Sequence, residues 1–449
     1  MGRVVVVVVV AAATAAAGCR ASPLPVRVSP DAPPQERLQA AHTLLATSPL
    51  IDGHNDLAWN VRKFLHNKLH SFNLSSDLTK EKPWRNSRFS HTDLPRLRKG
   101  QVAAQFWSVY VPCGAQYLNT VQLLLEQVDT VRRMVAASPH DTVLVRSSSE
   151  ILEEFRRGRV ASLMGVEGGH GLASSMGVVR ALYDLGVRYV TLTHKCHTPW
   201  AECSEPDPHL PNTRGLTPYG KELVREMNRL GLMVDLSHAS ARTARDVLNT
   251  TRAPVIFSHS AARALCRIER NVPDDVLSSL AENGGIVMIS FYNDFLTCSE
   301  KASVQDVVAH INHVRSMAGV DHVGLGAGYD GINRASRSGL ISGRLLGDYH
   351  IPISGRGGVL ERTSGRSVPG FPDDEGHEEE NESIGNLCVI DPHCHRWGKV
   401  NPDTSLKIPP LPYHIVHNFL IRCAPIFFRK PRRDGDPGWR GPMSERGGG

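Results

Sequence analysis

The stretch Leu50-Ile51-Asp52-Gly53-His54-Asn55-Asp56-Leu57 opens as an apolar run of strand length and closes on a histidine and an aspartate two residues apart. In extended backbone, alternate side chains share a face, so His54 and Asp56 can point together past the end of such a strand as a chelating pair. Seven more runs of this kind follow: Val102–Val111, Val160–Glu167, Val187–His194, Leu232–His238, Pro254–His259, Gly285–Phe291 and His322–Gly328. Between them the apolar positions recur three or four apart, over Val121–Ala137, Ser149–Gly158, Met176–Leu185, Lys221–Leu230, Ser240–Leu248, Asp274–Glu282 and Ser303–Met317. Eight near-continuous apolar strands alternating with helices predict an α/β fold, a parallel sheet closed into a (β/α)8 TIM-like barrel. An open doubly wound sheet is the competing reading of the same alternation.

In a barrel of this kind, sites form at the C-terminal rim, from residues at the ends of different strands. Six of the eight predicted ends carry a ligand or base: His54 with Asp56, then Glu167, His194, His238, His259 and, after the last run, Asp330. Imidazole and carboxylate together suit zinc, and a carboxylate set between two groups of ligands can bridge two ions. One histidine at one strand end is more simply a hydrogen-bonded cap; histidines at successive ends favour the metal. His66, His70, His91, His197, His313 and His322 lack that placement and are assigned to packing or the surface. Two zinc ions at a barrel mouth would lower the pKa of a shared water and polarise a carbonyl, which is the requirement of amide hydrolysis. The glycine run Gly324–Gly328 is not followed by the amphipathic helix of a dinucleotide fingerprint.

The whole chain has 449 residues, 41% hydrophobic and 21% charged, with a formal net charge of +6. That composition is globular, and so slight a basic excess gives no case for a nucleic-acid partner. Arg3, the apolar run Val4–Ala13 and Ala15-Ala16-Ala17 read as a signal peptide over residues 1–17, which predicts the secretory pathway and an extracellular or cell-surface product. Asn73-Leu74-Ser75 and Asn249-Thr250-Thr251 are acceptor triplets for glycosylation on that route. A Pro-rich lead occupies 18–48, the barrel 49–335. Residues 336–449 hold 17 Gly and 12 Pro and carry no sustained helical period, so they read as a divergent, poorly ordered tail.

His54-Asn55-Asp56-Leu57, Gly165-Val166-Glu167-Gly168-Gly169, Thr191-Leu192-Thr193-His194, Pro199-Trp200-Ala201, Phe257-Ser258-His259-Ser260 and Arg270-Asn271-Val272-Pro273-Asp274-Asp275-Val276, in this order, resemble the membrane (renal-type) dipeptidases from about Pro49 to Asp330. The resemblance implies a barrel of the metallo-dependent hydrolase type that hydrolyses dipeptides, with relatives acting on cysteinyl-glycine-type substrates. It implies two zinc ions per chain, the first held by His54, Asp56 and Glu167 and the second by Glu167, His238 and His259. It also places the oxyanion-binding histidine on His194 and the substrate-carboxylate arginine on Arg270, whose forked guanidinium suits the task. Homodimerisation is implied in the same way, as are disulfides Cys113–Cys196 and Cys266–Cys298, although four cysteines alone allow three pairings.

Two departures accompany the resemblance. The proton-shuttling aspartate of the family falls on Gly328, so the expectation includes a catalytically impaired, ligand-binding chain unless Asp330, two residues on, takes over. The helical closure and glycolipid-anchor signal of the family are not legible after Arg334, where Ile415–Phe428 is apolar but interrupted by His417, Arg422 and Pro425.

Overall fold

A computed structural model describes Ser29, residues 32–205 and residues 215–333. The expected signal peptide, the start of the Pro-rich lead and the 336–449 tail lie outside the described residues. Among the described residues, nine strands run in chain order: β1 (Leu50–Asn55), β2 (Val102–Tyr110), β3 (Thr142–Leu144), β4 (Val160–Glu167), β5 (Val187–Thr191), β6 (Met233–Asp235), β7 (Ile256–Ser260), β8 (Ile286–Ile289) and β9 (Val323–Leu325). All pairings are parallel, in the order β2-β1-β9-β8-β7-β6-β5-β4, and a β2–β4 ladder closes the ring. The eight strands of that ring are the eight apolar runs, so the fold is the expected (β/α)8 barrel and not an open sheet. The ninth, β3, pairs only with the lower end of β4, below the part that β5 takes.

Each expected helix is present. They are α4 (Thr120–Ala136), α5 (Ser148–Arg156), α6 (Met176–Asp184), α7 (Pro218–Leu230), α8 (Ala241–Leu248), α9 (Asp274–Asn283) and α11 (Val304–Ala318), joined by α1 (Pro34–Thr47), α2 (Leu57–Leu65), α3 (Leu94–Lys99) and the short α10 (Asn293–Leu296). Local chemistry sets their ends: Ser147, Ser175, Thr217 and Ser240 accept the first free backbone N–H groups of α5 to α8. Gly231 and Gly284 close α7 and α9 in the left-handed region. Within the lead, α1 buries Ala40, Leu44 and Leu45, the two leucines packing with Leu50, so ordered structure begins before the barrel's first strand.

The barrel interior is packed with Ile51, Phe106, Leu163, Tyr189, Ile256 and Met288. At Gly165 an added Cβ would lie 2.0 Å from the Tyr189 ring, and the missing side chain lets that tyrosine cross the barrel toward β1. Two disulfides form, Cys113–Cys196 and Cys266–Cys298, as the resemblance implied. Among the described residues, no helix is long and apolar enough to cross a membrane.

Candidate metal centre at the barrel mouth

Glu167 closes β4 and stands in register with Tyr110 of β2 on one side and Thr191 of β5 on the other. Its side chain is almost completely buried and is met by four imidazoles. His54 Nε2 lies 3.4 Å from Oε2, while His238, His259 and His194 bring Nε2 to 3.3, 3.4 and 3.9 Å from Oε1. Asp56 Oδ2 is 3.3 Å from His54 Nε2, on the Oε2 side. The carboxylate therefore faces one ligand set with each oxygen: His54 and Asp56 with Oε2, and His238 and His259 with Oε1.

The strand ladders stop short of several of these residues. β5 ends at Thr191 and β6 at Asp235, and the chain then leaves the sheet to form the rim that carries His194 and His238. His238 has φ 64°, a left-handed turn pinned by N–H of Ser204 and the Thr193 hydroxyl, which both donate to its carbonyl. From β5, the Tyr189 hydroxyl, with one proton, reaches β1 and lies 3.2 Å from the Gly53 carbonyl and 3.1 Å from His54 Nδ1. The carbonyl can only accept, so the hydroxyl donates there and His54 Nδ1 donates to the phenol oxygen. His54 Nε2 is left buried with no hydrogen-bond partner, aimed at two carboxylates.

Charge and burial act differently on the members of this cluster. Burial opposes charge on His54, but Glu167 and Asp56 outweigh it and hold its pKa well above the usual imidazole value. Burial also opposes charge on Glu167, whose carboxyl is nevertheless held well below its usual range by His54, His238 and His259. Asp56 is pushed up to about 6, by burial first, with His54 opposing. Burial carries His238 and His259 well below the usual value and His194 down to about 4, so these three are neutral near pH 7. The His238 and His259 Nε2 atoms are only 3.1 Å apart beside a carboxylate oxygen. Electron-rich groups converge there, and such a convergence is stable only with a proton or a cation among them. A set of imidazole nitrogens and carboxylate oxygens fits zinc.

Arg270 borders the cluster. Its Nη1 donates to Ser260 Oγ at 2.7 Å and Nη2 to the His259 carbonyl at 2.7 Å, its plane lies over Phe295, and Nε has no partner. Burial lowers its pKa to about 10, which leaves it charged at neutral pH.

The β9 rim differs from the sequence expectation. Gly328, at φ 72°, donates its N–H to the His54 carbonyl at 3.2 Å, and an added Cβ would meet nothing nearer than 3.7 Å. Asp330, expected as a catalytic carboxylate, is bonded at this turn to His91, and its Oδ2 is buried with no hydrogen-bond partner. Its φ of 67° turns the chain so that Oδ1 accepts from the His91 N–H at 3.3 Å, while its own N–H donates to His91 Nδ1 at 3.0 Å. His91 is thus a packing residue that orders this turn.

Sequence reasoning also passed over Tyr110, whose ring meets the edge of His194 at 4.9 Å, and the buried His170, bonded through Nε2 to the Val111 carbonyl. Tyr110 shares the register row of Glu167, a relation visible only once the two strands are paired. Cys113, His170 and Cys196 also cluster, but the disulfide already commits both sulfurs. Asn73 and Asn249 are both exposed.

The model of the membrane dipeptidase family, peptidase family M19, matches residues 38–340. The chain belongs to that family. It is 45% identical over 303 residues to mouse Dipeptidase 3 and 47% identical over 296 residues to the Macaca fascicularis protein of that name, covering 67% and 66% of this chain. Each match spans 58% of the relative's own length. Among solved structures, a metallopeptidase from Rhodobacter sphaeroides liganded with a phosphinate mimic of the dipeptide L-Ala-D-Ala is 25% identical at a TM-score of 0.57, over 66% of this chain and 89% of that one. A second, the family M19 metallopeptidase dipeptidase AC, is 26% identical at a TM-score of 0.58 with the same coverage.

Proposed function

We propose that this membrane dipeptidase family member is a zinc-dependent dipeptidase with a binuclear site. The carrying observation is Glu167, buried between two ligand sets, one facing each of its oxygens. His54, Asp56 and Glu167 would hold one ion, and Glu167, His238 and His259 the other. When bound, two zinc ions supply an acidified water and polarisation of the scissile carbonyl.

The chain's own residues account for binding and orientation. Arg270 is buried, charged and retains unused donors, so it takes the substrate's C-terminal carboxylate and restricts substrates to those with a free carboxylate close to the scissile bond. His194 stands farther from Glu167 than the other imidazoles and is neutral, so it orients the carbonyl oxygen without adding a charge to the site. The proton that must reach the leaving amine has no carboxylate at position 328.

That gap favours a second reading, a chain that binds metal and dipeptide but turns over slowly, because the turn after β9 directs Asp330 Oδ1 to the His91 N–H. Secretion, glycosylation at Asn73 and Asn249, and homodimerisation complete the proposal, supported by the signal-like leader, the disulfides, the exposure of both asparagines and the family. The experiment is zinc loading of the purified full chain followed by a dipeptide and its C-terminal amide. Hydrolysis of the dipeptide alone, lost to a chelator and regained with zinc, supports the dipeptidase. Binding without turnover supports the second reading, and neither binding nor turnover overturns both.

A further inference from the structure

Beneath the ligand layer lies a carboxylate with no role in the hydrolysis described above. Asp235 ends β6 and is wholly buried. Its Oδ1 accepts the N–H groups of Ser237 at 3.0 Å and Ser258 at 2.8 Å, and its Oδ2 accepts the hydroxyls of Thr191 at 2.5 Å and Ser258 at 2.6 Å. A carboxylate has about four acceptor positions, so this one is saturated. It ties together the ends of β5, β6 and β7, directly beneath the rim that carries His194, His238 and His259.

Ser258 Oγ lies 2.8 Å from His259 Nδ1 as well as 2.6 Å from Asp235 Oδ2. The hydroxyl has one proton and the carboxylate has none to give, so the proton goes to Asp235 and the hydroxyl oxygen is left as an acceptor. His259 Nδ1 must then carry a hydrogen, and Nε2, facing Glu167 and His238, presents its lone pair. We propose that Asp235, acting through Ser258, is a positioning residue that fixes the tautomer and ring orientation of His259 for the second metal. His238 differs: its Nδ1 is buried without a hydrogen-bond partner, so His259 is the pre-oriented member of the pair and His238 the adaptable one. The inference rests on His259 being a metal ligand.

The test uses the full chain in two states. In metal-free protein, long-range proton–nitrogen correlation spectra of the imidazoles report which nitrogen of His259 is protonated, a readout independent of hydrolysis. The wild type should show the proton on Nδ1. In Asp235→Asn the amide group can donate to Ser258 Oγ, whose hydroxyl then turns to Nδ1, so the His259 proton should move to Nε2. With zinc, Ser258→Ala should weaken one of the two ions by about 10–100-fold in chelator competition and leave the other unchanged, and Ser258→Thr should restore it.

If Asp235→Asn does not fold, Ser258→Ala carries the test alone, since its spectra should lose the single Nδ1-protonated form. A folded Ser258→Ala protein with an unchanged His259 tautomer and two unchanged zinc affinities overturns the proposal. Wild-type protein that shows the expected tautomer yet takes up no zinc would instead overturn the functional reading on which it rests.

Discussion

Around Glu167, two of the imidazoles are themselves held from behind, His259 by Ser258 and Asp235, and His54 on β1 by Tyr189 from across the barrel. On the β9 side, the rim Gly328-Tyr329-Asp330-Gly331 is shaped by left-handed turns, and its carboxylate is hydrogen-bonded to His91 rather than to the imidazoles. The first region is fixed in large part by buried side-chain bonds, behind His259 and His54 and not behind His238. The second is fixed mainly by backbone, which tolerates a change of side chain. Loss of an acid–base group without loss of the ligand set is the outcome such a division permits.

The largest effect should come from the constrained half. Glu167→Gln removes the charge facing both ligand sets, and dipeptide turnover should fall by about 10³-fold or more, with zinc retention reduced at both positions. Loss of a single ion would show that Glu167 serves one set only.

The tolerant half should respond in the opposite direction. Gly328→Asp places a carboxylate where space is open, and kcat on a dipeptide should rise by about 10²-fold with zinc content unchanged. The left-handed φ makes this substitution cost about 1 kcal/mol, readable as a lowered melting temperature. If kcat does not rise in a folded, zinc-loaded variant, the glycine at position 328 does not limit turnover.

The disulfides brace the two halves differently. Cys113–Cys196 ties the His194 segment to the exit of β2, whereas Cys266–Cys298 lies in the segments after β7 and β8. Replacing either pair with serine should cost roughly 2–4 kcal/mol in denaturant unfolding. Only loss of the first should also lower kcat, and equal effects on kcat would remove this distinction.

A pH effect separates the halves as well. Burial raises the Asp330 carboxyl from 3.8 to about 7. The folded protein therefore binds the proton more tightly than the unfolded chain, and stability falls as pH rises from about 4 to about 7. Asp330→Asn should flatten that decline, measured as the difference in unfolding free energy between wild type and variant across the window. A parallel pH dependence in both proteins would place the titrating group elsewhere.

The barrel was legible because all eight of its strands are continuous apolar runs, and the five proposed zinc ligands because each lies at or just beyond a strand end. β3 escaped notice because three residues, Thr142–Leu144, are too few to show a period. α1 was obscured by the prolines around it and by having only three buried positions. Tyr110, Tyr189 and Asp235 could not be assigned from one strand at a time, because their roles depend on register and on reach across the barrel. The orientation of Asp330 was hidden for a related reason: alternation along an extended strand puts residues 328 and 330 on one face, but β9 ends at Leu325 and the chain beyond it is turned.

The central proposal is that the residues around Glu167 form a complete ligand set although position 328 carries no carboxylate. Elemental analysis of the purified full chain after zinc loading and removal of free metal tests it most directly. Two zinc ions per chain in the wild type are predicted, and a folded protein that retains none would contradict the account.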